Sequence, residues 1–472
     1  MCPFVDFFST RACMLRAYYL TRVTRAFACG GQLFNNNFVT RCWCFCEINC
    51  TAGGVNETGM ARIRAFIKNI ILRLLPLYQW FYVRRLRHKK EINVVFFASS
   101  LSMWRYQHLY EALSKHPCFK TYIVVQPFIT FSHTQRTENI KELCHYFDNR
   151  SISYLLGTDA HGVELDIKNK LKPDLLFYPQ PYFGNNSYEQ SYSSFYYKLI
   201  CYYPYAFWRS KDSWSYDLPF HRMAWKLFYS TELHRQDAKQ YCTFNRGRNV
   251  EVVGYPTADD FLSGNYVDEW KPQPFKKKRV IWAPHFTIHD GGFLTQSNFL
   301  WMADFMLEIA QKYHDELQFV FKPHPRLFTE LCKHKDWGEE RAKEYYRTWA
   351  TMENTQLQTG EFVDLFMTSD AMIHDSGSFG VEYHYSGNPV MYVADNFEEQ
   401  VADMALFGQL AMRQHYVGKC KQDIIDFIEN IVIGGNDPMK EGRARFVQDY
   451  LIPPNGKTVV QNTMDILLKE LC

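Results

Sequence analysis

Short apolar runs alternate with longer segments of helical periodicity along most of this chain. In the first half, the apolar runs predict strands at 93–98, 121–125 and 175–178, and a last strand that breaks within 251–256. In the second half, they predict strands at 280–283, 318–321, 371–373 and 390–393. Helices are predicted between them at 104–114, 297–313, 339–350 and 379–386. Because continuous apolar runs suit parallel strands covered on both faces, this repeated rhythm predicts an α/β protein of two Rossmann-like domains facing across a cleft.

The same pattern divides the chain into six segments. They are a poorly ordered extension (1–59), a basic amphipathic helix (60–90), an N-terminal Rossmann-like domain (91–262), a linker (263–279), a C-terminal Rossmann-like domain (280–437) and C-terminal helices (438–472). The extension is predicted because it shows no sustained period of 2 or 3.6 residues. The linker is predicted because prolines and cations cluster near its end.

The predicted basic helix combines an apolar stripe with an excess of cations. Nine lysines and arginines and no acidic residue lie between Met60 and Lys90. The apolar stripe consists of Ile63, Phe66, Ile67, Ile70, Ile71, Leu74 and Leu75. This pattern is typical of a helix lying on an anionic membrane surface, and Arg73 and Pro76 argue against a membrane span. The alternative is a first helix that packs on the domain with its cations in solvent.

Composition excludes several classes of protein. The 472 residues are 47% hydrophobic and 22% charged, as in a folded globular protein. A net charge of +3 does not by itself indicate a nucleic-acid partner. Seven of the 14 cysteines lie in the first 50 residues without the spacing of zinc ligands, and the others are scattered like reduced thiols. With no signal-peptide pattern at the start, we expect a cytoplasmic protein, peripheral on the inner face of the cell membrane, without a metal or other cofactor.

The most informative motif is a turn of small residues after the predicted strand at 371–373. It reads Asp375-Ser376-Gly377-Ser378 and leads into a helix that carries Glu382. Such a turn lets backbone N–H groups approach an anion, and a carboxylate in the helix suits a ribose. The motif predicts a pocket for a nucleotide diphosphate donor. The alternative is an ordinary helix cap.

Two further strand ends carry histidines between prolines and cations. The strand at 318–321 leads into Lys322-Pro323-His324-Pro325-Arg326, and the strand at 280–283 leads into Pro284-His285-Phe286-Thr287. Ligands bind at the carboxyl edge of open α/β sheets, so we expect these three strand ends to form one site. His374 and His289, which lie nearby in the sequence, are interpreted as structural.

Together these motifs resemble the CDP-glycerol glycerophosphotransferase family, the teichoic-acid-type polyol-phosphate transferases of GT-B fold. The resemblance extends over about residues 245–400. It is carried by VVGYPTADDF at 252–261, APHFT at 283–287, KPHPR at 322–326 and HDSGSFGVEY at 374–383. It implies a role for His324 in catalysis or phosphate stabilisation and places Gly377, Ser378 and Glu382 in the donor site. The family also has a histidine in a Trp-His-Gly element of its N-terminal half. This chain has FYPQPYF at 177–183 and ICYYPYAF at 200–207 in that region instead.

The resemblance implies transfer of a polyol phosphate, glycerol phosphate first, from a CDP-activated donor to a hydroxyl of a lipid-linked or polymer acceptor in cell-surface polymer synthesis. It places the acceptor in the N-terminal domain and the donor in the C-terminal domain. From the residues themselves, His324 and His285 are the candidate catalytic groups. The candidate donor-binding residues are Lys322, Arg326, Thr287, Asp375, Ser376, Gly377, Ser378 and Glu382. Three alternatives are open: a nucleotide-sugar transferase, a nucleotide-sugar epimerase, and a non-catalytic assembly scaffold. A homo-oligomer is also left open.

Overall fold

The computed structural model describes residues 57–126, 128–130, 132–159, 161–182, 187, 190–211, 213–288, 297–377 and 379–472, with the backbone alone at 57–68 and 213–214. Most of the predicted N-terminal extension therefore lies outside the described residues. Residues 75–472 form one compact unit.

The first half of this unit contains a seven-stranded parallel sheet. Its strands, β1 to β7 in chain order, are Ile92–Ala98, Phe119–Val125, Leu155–Leu156, Leu175–Phe177, Leu199–Tyr202, Lys226–Tyr229 and Val250–Val252. The order across the sheet is β3-β2-β1-β4-β5-β6-β7. β1 pairs with β2 on one side and with β4 on the other. It is almost wholly buried, as its apolar sequence INVVFFA predicts.

The second half contains a six-stranded parallel sheet. Its strands, β8 to β13, are Lys278–Ala283, Leu317–Phe321, Thr355–Leu357, Ala371–His374, Val390–Val393 and Tyr416–Gly418. The order is β10-β9-β8-β11-β12-β13, so β8, β9 and β11 are neighbours. β8 begins at Lys278, two residues before the predicted start of the C-terminal domain at 280.

Helices connect the strands in both halves. In the first half, α1 to α8 are Glu57–Leu86, Gln107–Ser114, His133–Asn149, Ile167–Lys170, Ser213–Tyr216, Pro219–Met223, Glu232–Tyr241 and Ala258–Phe261. In the second half, α9 to α15 are Phe299–Lys312, Leu327–Lys333, Gly338–Thr351, Val363–Met367, Phe379–Glu382, Phe397–Ala402 and Leu406–Met412. The last three, α16 to α18, are Lys421–Asp426, Lys440–Phe446 and Val459–Leu471; the first two continue as π-helical segments at Phe427–Ile433 and Val447–Leu451.

The C-terminal helix α18 returns to the first half of the molecule. Asp259 accepts the backbone N–H groups of Val459 and Val460 at 2.7 and 3.0 Å, so its carboxylate caps the start of α18. Tyr203 and Thr463 are joined by a buried hydroxyl–hydroxyl hydrogen bond of 2.5 Å. The end of the chain thereby packs on the first half.

The part of α1 that belongs to this unit has two different faces. Leu75, Gln79, Val83 and Leu86 are buried, at the spacing of one face of a helix. Gln79 donates to the backbone oxygen of Met223 at 3.0 Å, which fixes this face on the first half. No helix within the described residues combines the length and the apolar character needed to cross a membrane.

The fold class predicted from the sequence is confirmed. Two parallel sheets with interleaved helices are present, and each of the eight predicted strands overlaps an observed one; β3, β5, β6, β10 and β13 were not predicted. The carboxyl ends of β8, β9 and β11 lie side by side at one edge of the second sheet, and this edge is where the sequence motifs meet.

Candidate active site at the carboxyl ends of three strands

Three predicted motifs begin where three neighbouring strands end. The sheet pairs Trp282 with Phe321 and Ala283 with His374, so the strands stop at nearly the same level. Pro284-His285, Lys322-Pro323-His324 and Asp375-Ser376-Gly377 follow directly. The structure therefore brings together residues that lie about 90 positions apart in the sequence.

His285 and His324 form a pair at this edge. Their ring centroids are 5.1 Å apart, and the ring of Phe286 lies 4.4 Å from both. The backbone N–H of His324 donates to the oxygen of Pro284 at 3.0 Å, which holds the two loops against each other. Both histidines are half-buried.

Hydrogen bonds at Nδ1 define what each ring can do. Nδ1 of His324 accepts the backbone N–H of Arg326 at 3.1 Å, so the neutral ring carries its proton on Nε2 and is a hydrogen-bond donor there. Nδ1 of His285 lies 2.9 Å from the hydroxyl of Thr287. If this nitrogen donates to Thr287, Nε2 of His285 presents a lone pair. Neither Nε2 atom has a hydrogen-bond partner among the described residues.

Both imidazoles are neutral at pH 7. Burial, with smaller contributions from Arg209 and Arg326, lowers the pKa of His285 to about 4. Burial, with smaller contributions from His285 and Arg326, lowers the pKa of His324 to about 3. An anionic ligand between them would favour the protonated forms and raise both pKa values.

Asp375 is fully engaged by the backbone. Its two carboxylate oxygens accept the N–H groups of His285, at 2.6 Å, and of Asn298. Burial raises the pKa of Asp375 to about 6, although these hydrogen bonds act in the opposite direction. Both carboxylate oxygens of Asp375 therefore already have backbone donors, and its donor-binding role stays a prediction.

Part of the backbone of the small-residue turn is already hydrogen-bonded within the protein. Ser376 is buried, and its N–H donates to Nδ1 of His374 at 3.2 Å. Ser378 lies outside the described residues. The following helix, α13, has four residues and continues as a 3₁₀ turn, whereas a helix over 379–386 is predicted. So short a helix offers little dipole for an anion.

Glu382 lies at the junction of the two halves. It is buried and accepts a short hydrogen bond from the hydroxyl of Tyr255, which comes from the first half. Burial raises the pKa of Glu382 to about 7, and Arg105 and Tyr255 partly offset this effect. A ribose at Glu382 would have to share or replace the hydroxyl of Tyr255.

The remaining predicted residues lie at the rim of this group. The ammonium of Lys322 is buried against the 360–361 loop and donates to the oxygen of Gly360 at 2.8 Å; burial lowers its pKa to about 8. Among its described contacts, Lys322 has none to the turn at Asp375. Arg326 is exposed, with its guanidinium 4.1 Å from the centroid of the Phe286 ring.

Beneath the turn lies a second group of histidines. His374, His384 and His415 are all at most 3% exposed, and the ring of His415 is 5.3 Å from that of His374 and 4.8 Å from that of His384. His289 lies outside the described residues. We refer to His374, His384 and His415 as the buried histidine cluster.

Sequence reasoning missed the residues that the first half contributes to this edge. Tyr255, Arg105 and Arg209 come from three separate loops, and only the fold brings them to the second sheet. Tyr255 lies within the VVGYPTADDF segment, which was the one available signal. Nothing local to Arg209 or Arg105 in the sequence distinguishes them from surface cations.

Within the described part of the chain, one group of side chains has the composition and proximity of metal ligands. One group of three has ligand atoms within 4.8 Å of one another: His116, Cys118 and Cys472. Cys118 immediately precedes β2, so this group lies at the amino edge of the first sheet, away from the strand ends described above.

Comparisons with solved structures support the fold. The UDP-GlcNAc 2-epimerase of Neisseria meningitidis, in a structure bound to UDP-GlcNAc, is 14% identical with a TM-score of 0.51; the similarity covers 80% of this chain and 100% of that one. A second UDP-N-acetylglucosamine 2-epimerase is 15% identical with a TM-score of 0.51, over 80% of this chain and 97% of that one. A variant of the wall teichoic acid polymerase TagF is 12% identical with a TM-score of 0.49, over 89% and 98%. No family model and no curated protein matches the chain. At these identities, the two epimerase similarities show the GT-B fold alone.

Proposed function

We propose that this protein transfers a polyol phosphate, glycerol phosphate in the first instance, from a CDP-activated donor to a hydroxyl acceptor. The observation that carries the proposal is the His285–His324 pair. Both imidazoles are neutral, and their Nδ1 atoms have different hydrogen-bond partners. They lie at the carboxyl ends of strands, the edge at which open α/β sheets bind ligands. The motif resemblance supplies the choice of donor.

In the proposed reaction, an acceptor alcohol attacks the β-phosphorus of the donor. A bond forms between the alcohol oxygen and this phosphorus, the bond to the bridging oxygen breaks, and CMP leaves with that oxygen. His285 Nε2 takes the proton of the alcohol, and His324 Nε2–H donates to a phosphoryl oxygen on which charge accumulates. Asp375 holds the backbone of His285 through the 2.6 Å hydrogen bond and thereby positions the base.

A membrane-associated acceptor is supported by the outer face of α1. Leu77, Trp80 and Phe81 are 46%, 45% and 52% exposed. Arg84 lies 3.7 Å above the ring of Trp80, so cationic and apolar groups share this face. We infer that the face lies on an anionic membrane from the cytoplasmic side. Vesicles of phosphatidylglycerol should co-sediment the full chain more than vesicles of phosphatidylcholine, and Trp80→Ala should weaken this binding severalfold.

Nucleotide-sugar transfer or epimerisation is the second candidate. It is favoured by the histidine-free segments 177–183 and 200–207, which occupy the region of the family's Trp-His-Gly element. A non-catalytic scaffold would bind a donor without releasing product. The same assay separates these functions from the first.

The experiment is nucleotide release by the full chain from CDP-glycerol, CDP-ribitol, UDP-sugars and GDP-sugars, with a lipid-linked acceptor and with or without EDTA. We expect CMP from a CDP-polyol, at a rate that EDTA does not change. Release of UDP or GDP, or conversion of a UDP-sugar to its epimer, would replace the proposal with the second candidate. Donor binding without turnover in every case would favour the scaffold.

A further inference from the structure

The segment that follows β5 leaves the first half of the molecule and docks on the second. The backbone oxygen of Arg209 accepts the N–H of Ala405 at 2.7 Å. Two residues later, Lys211 Nζ donates to the backbone oxygen of Ala402, also at 2.7 Å. These hydrogen bonds hold the segment 209–211 against the end of α14 and the loop before α15.

A glycine on α15 makes this close approach possible. A Cβ atom on Gly408 would lie 2.9 Å from both the backbone oxygen and the Cβ of Arg209, which is closer than such atoms come in practice. A larger residue at Gly408 would therefore displace Arg209. The entry of this arginine between the halves is consequently a built feature of the fold and not a chance surface contact.

The side chain of Arg209 extends over the small-residue turn. Its Nη1 donates to the sulfur of Met412 at 3.0 Å. Its Nη2 lies 3.3 Å from the position that a Cβ atom on Gly377 would occupy. The guanidinium thus covers the turn from the side of the first half.

Within the described part of the chain, no counter-charge pairs with Arg209. No carboxylate of the described residues lies within 4 Å of its guanidinium, and thioether sulfur is a weak acceptor. Its positive charge also lowers the pKa of His285 and of His374. Arg209 is half-buried. A cation partly removed from water without an anion is destabilised, and a bound anion would offset that cost.

We propose that Arg209 binds the diphosphate of the nucleotide donor, closing the donor site from the first half of the molecule. This inference rests on the proposed function, which places a nucleotide diphosphate at the turn. A guanidinium presents its N–H groups in a planar fork that matches phosphate oxygens, and it stays charged at all working pH values. Arg209 would therefore neutralise charge on the diphosphate before and during departure of the nucleotide monophosphate.

The test compares the affinities of the full chain for CDP and CMP by isothermal titration calorimetry. In Arg209→Met, we expect the affinity for CDP to fall about tenfold or more and the affinity for CMP to fall less, because charge-assisted hydrogen bonds to the second phosphate are lost. The ratio of the two dissociation constants is the informative quantity, since a merely structural role would weaken both nucleotides equally. Arg209→Lys should recover part of the ratio.

Arg413→Met is the matched control. Arg413 is an exposed cation at the end of the same helix α15, so its loss changes net charge equally and should leave the CDP to CMP ratio unchanged. Circular dichroism and the melting temperature of Arg209→Met should match those of the wild type.

An unchanged ratio in Arg209→Met, or an equal fall for both nucleotides, would overturn the proposal. If the wild type prefers UDP to CDP, the choice of a CDP-polyol fails, and the Arg209 comparison is decided on UDP and UMP with the same expectation. If the wild type binds no nucleoside diphosphate, both the proposed function and the role of Arg209 are overturned.

Discussion

Two groups of histidines lie in the second half of the molecule. Burial lowers the pKa values in both groups, but the groups differ in exposure and in hydrogen bonding. The pair His285 and His324 is half-buried at the strand ends. The buried histidine cluster lies beneath the turn, at most 3% exposed. Burial lowers the pKa of His374 and of His384 to about 3, much as it does for His324. A perturbed pKa therefore does not distinguish the two groups, whereas partial exposure at the edge of the sheet does.

The two groups also differ in how their nitrogens are satisfied. In the cluster, His384 Nε2 and His415 Nδ1 donate to the backbone oxygen of Ala411 at 3.1 and 3.2 Å. His384 Nδ1 and His415 Nε2 have no partner among the described residues and no contact with solvent. The histidines of the cluster accordingly resist protonation. The half-buried pair can instead contact an anionic ligand, which would favour the protonated forms.

The largest expected effect comes from removing the base of the pair. His285→Asn retains a polar group near Thr287 but lacks Nε2, and we expect CMP release to fall by about 10²–10⁴-fold. The melting temperature should change little because the ring is half-exposed. Steady-state rates and thermal unfolding check both statements. A rate within threefold of the wild type would remove His285 from the proposed mechanism.

The cluster should control stability instead of activity. A histidine whose pKa is lowered in the folded state binds its proton more readily when unfolded, so the free energy of unfolding falls as pH drops below about 6.5. Each such histidine contributes a slope of up to about 1.4 kcal/mol per pH unit. His384→Gln retains a donor toward Ala411 and should reduce this acid-side slope by about that amount. Urea unfolding between pH 7.5 and 5 measures it.

At neutral pH, His384→Gln should release CMP at the wild-type rate. If its turnover instead falls as far as that of His285→Asn, the division between an active pair and a structural cluster is wrong.

The role of His324 can be separated from that of a base. His324→Gln restores an N–H group near the position of Nε2, whereas His324→Asn retains only the acceptor for the Arg326 N–H. If His324 donates to phosphate, we expect the rate of CMP release to fall by about 10²-fold in the asparagine variant and to recover in part in the glutamine variant. Equal losses of activity would instead assign His324 the part of the base.

The smallest expected effects come from substituting two glycines, one beside Arg209 and one beside the buried histidine cluster. A Cβ on Gly377 would lie 3.3 Å from Arg209, and one on Gly380 would lie 3.2 Å from the ring of His374. Gly377→Ala should weaken donor binding severalfold with little change in stability. Gly380→Ala should change the free energy of unfolding by no more than about 1 kcal/mol, because the higher helix propensity of alanine offsets its crowding against His374. It should leave donor affinity unchanged. The reverse pattern of effects would contradict the comparison.

The sequence was sufficient to predict the fold and the meeting of the three motifs because both depend on local patterns. Apolar runs specify parallel strands, and parallel strands bring their carboxyl ends to one edge. The ends of β8, β9 and β11 therefore meet as expected. The catalytic roles of His324 and His285 remain predictions. So do the donor-binding roles of Lys322, Arg326, Thr287, Asp375, Ser376, Gly377, Ser378 and Glu382.

What the sequence could not predict depends on contacts between the two halves. Arg209 reaches the turn only because its segment docks on α15, some 200 residues away. Glu382 resembles a ribose ligand in the sequence, yet the fold pairs it with Tyr255. Lys322 follows a strand end, but the 360–361 loop binds its ammonium group. Side-chain direction and docking between halves leave no periodic signal in the sequence.

The central claim is that the nucleotide donor lies at the carboxyl ends of β8, β9 and β11, and a crystal structure of the full chain with bound CDP tests it most directly. The account predicts the β-phosphate between Arg209 and His324 Nε2, and the ribose on the side of Glu382. Density for CDP at any other place, with this turn occupied by solvent alone, would contradict it.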